Sequence, residues 1–578
     1  MPGTTEVQSA LVADCGSVLT KVALLDFIGG EYRFVARSEV PTTTTAPFNN
    51  VMVGLRSAIN EIELVTGRRL LQDGDLVTPE RDDGSGVDAF VATTSAAGAL
   101  PVVVAGATRD FSTAQGIRAV RSIYAQVQDV IAADSTDLRR WSEAEDKLEL
   151  FRQVQPEAIL LTGGFDGGST RHVVEGCGII ATAIADVRGT AKVPLVYAGN
   201  AAARQNVVEL LGNLVDLRVV DNVLPAFGRE NLAPAQAAIS ELYRQRRMAR
   251  LAGFGQLSAW TQAPVLPSAD AQGLVMRFLA RQYDANVVGV DVGGDATSLF
   301  SVLDGRFRPL VRSGLGVGTG TLGVWQEAGH RSIARWLPYE LGPTDLRNRL
   351  ENKRLRPATI PQTREDVLLE LALAREALRL VVTEAGLHGV KADILIASGG
   401  GLIHAAHYGQ TVLVLLDALQ PVAVSRLWLD KLSLLPQMGA LATLEPMAAG
   451  QATVRDALLP LGTLICPVTR RGQVAAGRES KIALRFRIAY AQGGSLDVEV
   501  PYGTLEVIPL PPGQQATLDL RPARGFDIGL GPGRAGKIDV DGGVVGLVVD
   551  ARGRPLALPA DEVARREKIR EWLLAVGG

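Results

Sequence analysis

The sequence predicts an α/β protein with two lobes and a C-terminal all-β domain. Three observations carry that reading. The first is a pattern that occurs twice, 277 residues apart: an apolar strand, Asp-x-Gly in a small-residue turn, then a second apolar strand, at Asp14-Cys15-Gly16-Ser17 and Asp291-Val292-Gly293-Gly294. The second is a late glycine cluster, Ser398-Gly399-Gly400-Gly401, after the apolar run Ile394-Leu395-Ile396-Ala397. The third is a change of pattern after Cys466, where short alternating segments are separated by Gly- and Pro-containing turns.

Each copy of the repeat has the composition of a phosphate-binding turn. Glycine allows tight turns and close backbone approach, and successive backbone N–H groups in such turns make concave anion sites. Gly16, Gly293, Gly294, Gly399, Gly400 and Gly401 are therefore candidate nucleotide contacts, with Ser17, Thr20 and Thr297 as hydroxyl donors and Lys21 as a point charge. Asp14 and Asp291 would repel phosphate alone, so they are expected to hold a hard cation. Mg²⁺ is commonly bound by one or two carboxylates, phosphate oxygens and water. No G-x-x-x-x-G-K-[ST] string is present, which excludes a Walker loop.

Along the chain, residues 10–36 read as strand, turn, strand, a Gly29-Gly30 turn and a third strand, and residues 51–65 have helical spacing. Residues 72–86 are polar and rich in Gly and Asp, as in a loop; a strand follows at 89–92. Short apolar runs at Val102–Ala105 and Ala158–Leu161 alternate with helical segments, which predicts α/β layering. The strings Leu161-Thr162-Gly163-Gly164-Phe165-Asp166-Gly167-Gly168 and Val196-Tyr197-Ala198-Gly199-Asn200 read as strand ends feeding loops, where open α/β sheets place ligands. Plain strand-to-helix turns explain them equally well. Asp14 and Asp166 are the candidate catalytic residues; Asp166, as the residue that would orient attacking water, rests only on its place in a Gly-rich loop after a strand, and turn formation is the favoured explanation.

Residues 232–283 read as mostly helical, 365–385 as one long helix started by Thr363 and Asp366, and 561–575 as a final helix. From 482 to 490 apolar residues alternate, the pattern of a half-buried strand. The expected division is 1–230 for the first lobe, 231–284 for a helical connector, 285–468 for the second lobe, and 469–578 for a separate β-sandwich or barrel with a terminal helix.

Bulk properties narrow the function classes. The 578 residues are 47% hydrophobic and 21% charged, with a net charge of −3, which gives no overall basic character for nucleic acid. Three scattered cysteines form neither a disulfide framework nor a zinc pattern, which suits a reducing cytoplasm. His404 and His407 have no evident third metal ligand. The N-terminus has no signal-like apolar core, and no run of about 18 apolar residues is long enough to enter a membrane.

Asp14 to Lys21, Asp291 to Thr297 and Ser398 to Gly401 resemble the phosphate-1, phosphate-2 and adenosine motifs of the actin-like ATPase superfamily, of ribonuclease H-like fold. More narrowly, Ala92 to Gly98, Leu161 to Gly168, Val196 to Asn200 and Gly399 to Ala405 resemble the MutL family, accessory proteins of glutamate mutase. The resemblance spans roughly 8–465 and omits the C-terminal β domain. It implies a two-lobed ATPase fold with ATP and Mg²⁺ in a central cleft. It also implies a cobalamin-dependent carbon-skeleton mutase as partner, reactivated by exchange of damaged cofactor; self-association stays open.

Departures from the family pattern bear on turnover. The second motif usually continues Gly-Gly-Ala-Thr-Thr-Asp, where this chain has Gly293-Gly294-Asp295-Ala296-Thr297-Ser298. Val18 and Leu19 stand where hydroxyl residues are common. Three functions are therefore carried forward: an ATP-dependent reactivase, a nucleotide-sensing or inactive scaffold, and, ranked last, a small-molecule kinase.

Overall fold

The computed structural model describes residues 7–132, 153–154, 156–186, 192–469 and 481–577. Two sheets of the same design form its centre. In the first, the strands run in the order Leu266–Pro267, Ala89–Thr94, Ser9–Cys15, Leu19–Ile28 and Glu31–Pro41. The last three form an antiparallel meander, Ala89–Thr94 pairs parallel to Ser9–Cys15, and Leu266–Pro267 pairs parallel to Ala89–Thr94. The second sheet repeats this with Arg306–Ser313, Ala296–Leu303, Val287–Val292, Ile394–Ser398 and Ala423–Asp430. The repeat holds at the level of register. Asp14 faces Lys21 on one side and Thr93 on the other, and Asp291 faces Ser298 and Ser398. This duplicated unit is the two-lobed, actin-like α/β architecture that the sequence predicts.

The predicted helices form where capping chemistry is present. Val51–Thr66 starts at Asn50, whose side chain accepts from the Met52 N–H, and ends at Gly67 in the left-handed region (φ 72°). It buries Val51, Leu55, Ala58, Ile59 and Ile62 along one face. Helix Arg364–Ala385 is capped by Thr363, which accepts from the Asp366 N–H, and stops at Gly386.

The first lobe carries an inserted sheet. Its strands Asp216–Val219, Pro194–Tyr197, Ala158–Leu161, Leu100–Gly106 and Ala125–Ala132 lie side by side in that order, all parallel. Strands 125–132 and 216–219 have no clear apolar alternation and are not read from sequence. Part of the stretch between Ala105 and Ala158, read from sequence as helical segments, lies outside the described residues.

Two helices cross between the lobes. Ser268–Gln282 leaves the first sheet and leads into the second. Leu435–Leu441 leaves the second sheet and packs against strands Ser9–Cys15 and Ala89–Thr94 of the first. At the crossing, a Cβ on Gly439 would overlap the Ala271 carbonyl oxygen. Only glycine lets these two backbones come so close.

The C-terminal region departs from the expectation of a separate domain. Leu458–Cys466 extends the second lobe's sheet, Gly546–Asp550 pairs parallel with it, and Leu505–Ile508 closes the edge. Four further strands, Ser495–Pro501, Ile482–Tyr490, Gln515–Pro522 and Gly536–Asp541, form an antiparallel sheet. It packs Phe486, Ile488, Leu518 and Val540 against Leu547 and Val549 of the lobe's own sheet. Helix Glu562–Ala575 buries Ile569, Trp572 and Leu573 in the second lobe's core.

Candidate functional site

Both Asp-x-Gly turns close in the same way. The Gly16 N–H donates to the Leu19 carbonyl (3.0 Å) and the Gly293 N–H to the Ala296 carbonyl (2.9 Å), leaving two residues at each tip, Ser17-Val18 and Gly294-Asp295. The tips meet across the lobes. A Cβ on Gly294 would collide with the Val18 side chain, so glycine at 294 and the closed approach require each other. Behind the second turn lies the loop 314–320. There Val317 donates to the Gly293 carbonyl, while Gly318 and Gly320 donate to the Gly294 carbonyl, at 2.8–3.0 Å.

The cleft between the turns is lined by Asp14, Gly16, Ser17, Lys21, Asp291, Gly293, Gly294, Gly399 and Gly400, nine of the sequence-predicted residues. Asp14 is 5% exposed; its Oδ1 accepts from Thr93 Oγ1 (2.8 Å) and Ser268 Oγ (2.7 Å), and Lys21 Nζ lies 4.0 Å from its Oδ2. Asp291 is held less firmly: Gln272 Nε2 is 3.5 Å from its Oδ2. Burial pushes the Asp291 carboxyl up from its ordinary range, and Lys21 and the Ser398 hydroxyl offset this only in part. Gly399 adopts φ 90°, and a Cβ there would strike the Val292 backbone.

Four predicted residues are placed elsewhere. Thr20 is fully buried with its hydroxyl on Thr42 Oγ1 (3.0 Å), and Thr297 Oγ1 donates to the Leu315 carbonyl (2.6 Å). Both hydroxyls are committed inside their lobes, because each side chain follows the strand's alternation away from the cleft. Gly401 packs behind the cleft against Val292 and Val317. Asp166 lies in the inserted sheet's loops, exposed, accepting from the Ala201 N–H (2.8 Å) and Asn222 Nδ2 (3.0 Å). It is a turn-forming residue there, outside the cleft.

Other cleft residues escape sequence reading. Ser268 and Gln272 come from the crossing helix, and His404, Lys353 and Glu370 line the outer part with Pro357, Ile360 and Ile403. Burial lowers the His404 pKa. Behind Ser398 sits Asp430, fully buried. It accepts from Ser398 Oγ (2.9 Å) and from the N–H groups of Leu434 (2.8 Å) and Leu435 (3.2 Å). Burial pushes its carboxyl up to about 6 despite those donors. The alternating glycines of 314–320 are a sequence signal for the loop behind the second turn, which brings Val317 and Gly318 to the cleft; none exists for Ser268 or Gln272.

Among the described residues no group of three or more His, Cys, Asp or Glu could hold a metal unaided. Asp14 and Asp291 line the cleft together and are the kind of donor a hard cation takes, with phosphate oxygens and water completing its shell.

Comparison with known proteins follows the same line. A family model described as MutL protein matches residues 10–456. The chain belongs to the MutL family. Comparison with curated proteins gives no match. Among solved structures, a nucleotide-free acetone carboxylase is similar at 13% identity, covering 86% of this chain and 81% of that one (TM-score 0.31). Component A of the Acidaminococcus fermentans (R)-2-hydroxyglutaryl-CoA dehydratase is similar at 12% identity, covering 76% and 99% (TM-score 0.28). A glycerol dehydratase reactivase is similar at 12% identity, covering 70% and 94% (TM-score 0.25). The MutL match ends near the strand Leu458–Cys466, although the sheet it belongs to continues into the C-terminal region. Among the described residues no helix is long and apolar enough to cross a membrane.

Proposed function

We propose that this MutL-family chain is an ATP-dependent accessory protein that reactivates a cobalamin-dependent carbon-skeleton mutase such as glutamate mutase. The observation that carries the reading is the pair of matched Asp-x-Gly turns, one from each lobe, meeting over a cleft that also holds Lys21 and the Gly399-Gly400 turn. Ser17, Gly294 and Lys21 would bind phosphate, and Asp14 and Asp291 would hold Mg²⁺. The wall formed by Pro357, Ile360, Ile403 and His404 would take the nucleoside. Family membership supports the partner.

Coupling to a partner follows from connectivity. Asp14 is hydrogen-bonded to the first residue of helix Ser268–Gln282. On the other side, the Ser398–Asp430 pair holds the first turn of Leu435–Leu441. The two helices cross at Gly439, so a change of charge in the cleft acts on the lobe-to-lobe joint. A ligand shifts lobe closure by its differential affinity for the two states, and a partner reads the result.

A second reading has its own observation. Asp295 puts a carboxylate at the second turn's tip, accepting from Thr319 Oγ1 (3.1 Å), and Val18 fills the tip opposite. That arrangement favours a nucleotide sensor with little turnover. Calorimetric titration with Mg·ATP and a phosphate-release assay separate the readings. The reactivase predicts binding that Asp14→Ala and Asp291→Ala each weaken at least tenfold, measurable turnover, and an ATP-dependent change in a complex with the mutase. Binding without turnover selects the sensor; no binding removes both.

A further inference from the structure

A second cavity, of about 740 Å³, lies on the far side of the second lobe from the cleft's glycine turns, between that lobe's sheet and the C-terminal sheet. Its volume is within the range of ligand-binding pockets. Strand alternation makes its floor: Val424, Arg426 and Trp428 project from one face of Ala423–Asp430 and are incompletely covered, while their neighbours Ser425 and Leu427 are buried. Trp428 is braced edge-to-face by Tyr283, with ring centroids 5.1 Å apart.

One wall of the cavity is an open sheet edge. Among the described residues Gly536–Asp541 pairs only with Gln515–Pro522 and ends the four-stranded sheet. The Gly542 N–H donates to the Gln514 carbonyl. Continuing that alternation, 540 pairs with 516 and 538 with 518 as hydrogen-bonded pairs, so the N–H and C=O groups of Asp539 and Asp541 point outward, to the open side. Both residues line the cavity. Four carboxylates belong to its lining. Asp284 and Asp393 lie beside the floor, and Asp539 and Asp541 stand on the edge strand, on the face opposite the buried Val540, where they accept from Thr517 Oγ1 (2.6 Å) and Gln515 Nε2 (2.9 Å); none of the four has a cationic partner within 4.0 Å among the described residues, and Arg426 is the cation on the floor.

We propose that this cavity docks an extended, basic peptide segment of a partner protein, added as a fifth strand to the edge Gly536–Asp541. Main-chain hydrogen bonds to Asp539 and Asp541 would give affinity, as in strand addition generally. An aromatic or long apolar side chain on the added strand's inner face would rest on Trp428 and Tyr283, and Lys or Arg side chains on its outer face would lie across from the Asp539 and Asp541 carboxylates. Charge complementarity selects a basic occupant over an acidic one, and the outward backbone groups select an extended chain over a helix.

The test uses the full chain and fluorescence anisotropy of a labelled octapeptide with one Phe flanked by alternating Val and Lys or Arg. Two control peptides carry Glu for every basic residue, or N-methyl groups at alternate backbone nitrogens. Saturable binding is expected, weakened at least tenfold in both controls. The same loss is expected for Trp428→Ala, for the Asp539→Lys/Asp541→Lys double variant, and for Asp539→Pro, which removes an outward N–H and leaves the ladder intact. Equal binding of either control peptide, or binding unaffected by these variants, overturns the proposal, as does the lack of saturation. Self-association of the chain that Asp539→Pro abolishes would put a second copy in the cavity and also overturn it.

Discussion

Asp430 shows what one buried carboxylate does when its donors are too few. It is fully buried and accepts from Ser398, Leu434 and Leu435, yet burial still pushes its carboxyl up to about 6 from an ordinary 3.8. The sign of the linkage follows. A group that binds its proton more tightly when folded favours folding most at low pH, where both states are protonated in the fold's favour. That contribution is lost as pH rises from about 4 through about 6. At 1.36 kcal/mol per tenfold in proton affinity, the loss is on the order of 3 kcal/mol. Asp430→Asn cannot titrate, so the stability of the wild type relative to this variant should fall by that order between pH 3.5 and pH 7. Urea unfolding of both proteins across that range measures it. A constant difference would mean that Asp430 does not titrate there. Taking the difference matters, because other carboxylates, such as Asp550, pull the opposite way.

Among the elements, the crossing of Ser268–Gln282 and Leu435–Leu441 is the joint on which the lobes meet, and Gly439 sets its spacing. Adding a methyl group there forces the helices apart. Overpacking of this kind costs about 1–3 kcal/mol, and Gly439→Ala should lower the urea midpoint accordingly and weaken any nucleotide-dependent closure. Gly255 is the control, since a Cβ there meets nothing within 4 Å; Gly255→Ala should be neutral or stabilising by up to ~1 kcal/mol. Equal losses at both positions would remove the special role of the crossing. This joint also marks how far the site was legible from sequence. The turns at Asp14 and Asp291, the Gly399 turn, and the helices after Asn50 and Thr363 were readable, because each depends on local chemistry: a tight turn, a cap, an apolar stripe. Ser268 was not, because it reaches Asp14 across 254 residues of chain and announces itself only as a serine before a helix. Thr20 and Thr297 were misread for the converse reason. Their spacing from the aspartates fits a phosphate contact, but strand alternation turns both hydroxyls into the lobes.

In the molecule as a whole, the C-terminal region is part of the second lobe, and this too was hidden from sequence. Short strands between Gly and Pro turns look alike whether they close on themselves or pair with a strand that precedes them. Here Gly546–Asp550 reaches back to pair with Leu458–Cys466, and at the contact a Cβ on Gly462 would overlap the Gly546 carbonyl oxygen. Just beyond that strand, Arg552 is buried between Asp417 of helix Tyr408–Leu419 and Asp550, at 2.9 and 2.8 Å, with its guanidinium 4.4 Å from the Trp572 ring centroid. Burial alone would raise the Asp550 carboxyl, but Arg552 and Arg554 hold it well below the usual carboxylate range. One arginine therefore joins the second lobe's helix, the returning strand and the terminal helix. Removing it takes one cation from each of two buried carboxylates, Asp417 keeping Arg375 (2.9 Å) and Asp550 keeping Arg554 (2.8 Å). Arg552→Ala should lower stability, by less than the about 3–5 kcal/mol that a buried charge left wholly unpaired costs. Because the sheet is continuous, the loss should appear in the transition of the second lobe as well as in the C-terminal strands. Hydrogen exchange followed by mass spectrometry distinguishes the two cases: peptides from 458–466 and from 546–550 should lose protection together. If the C-terminal peptides alone were destabilised, the region would be an independent domain, and the pairing at Gly462 would be a contact between units instead of the continuation of one sheet.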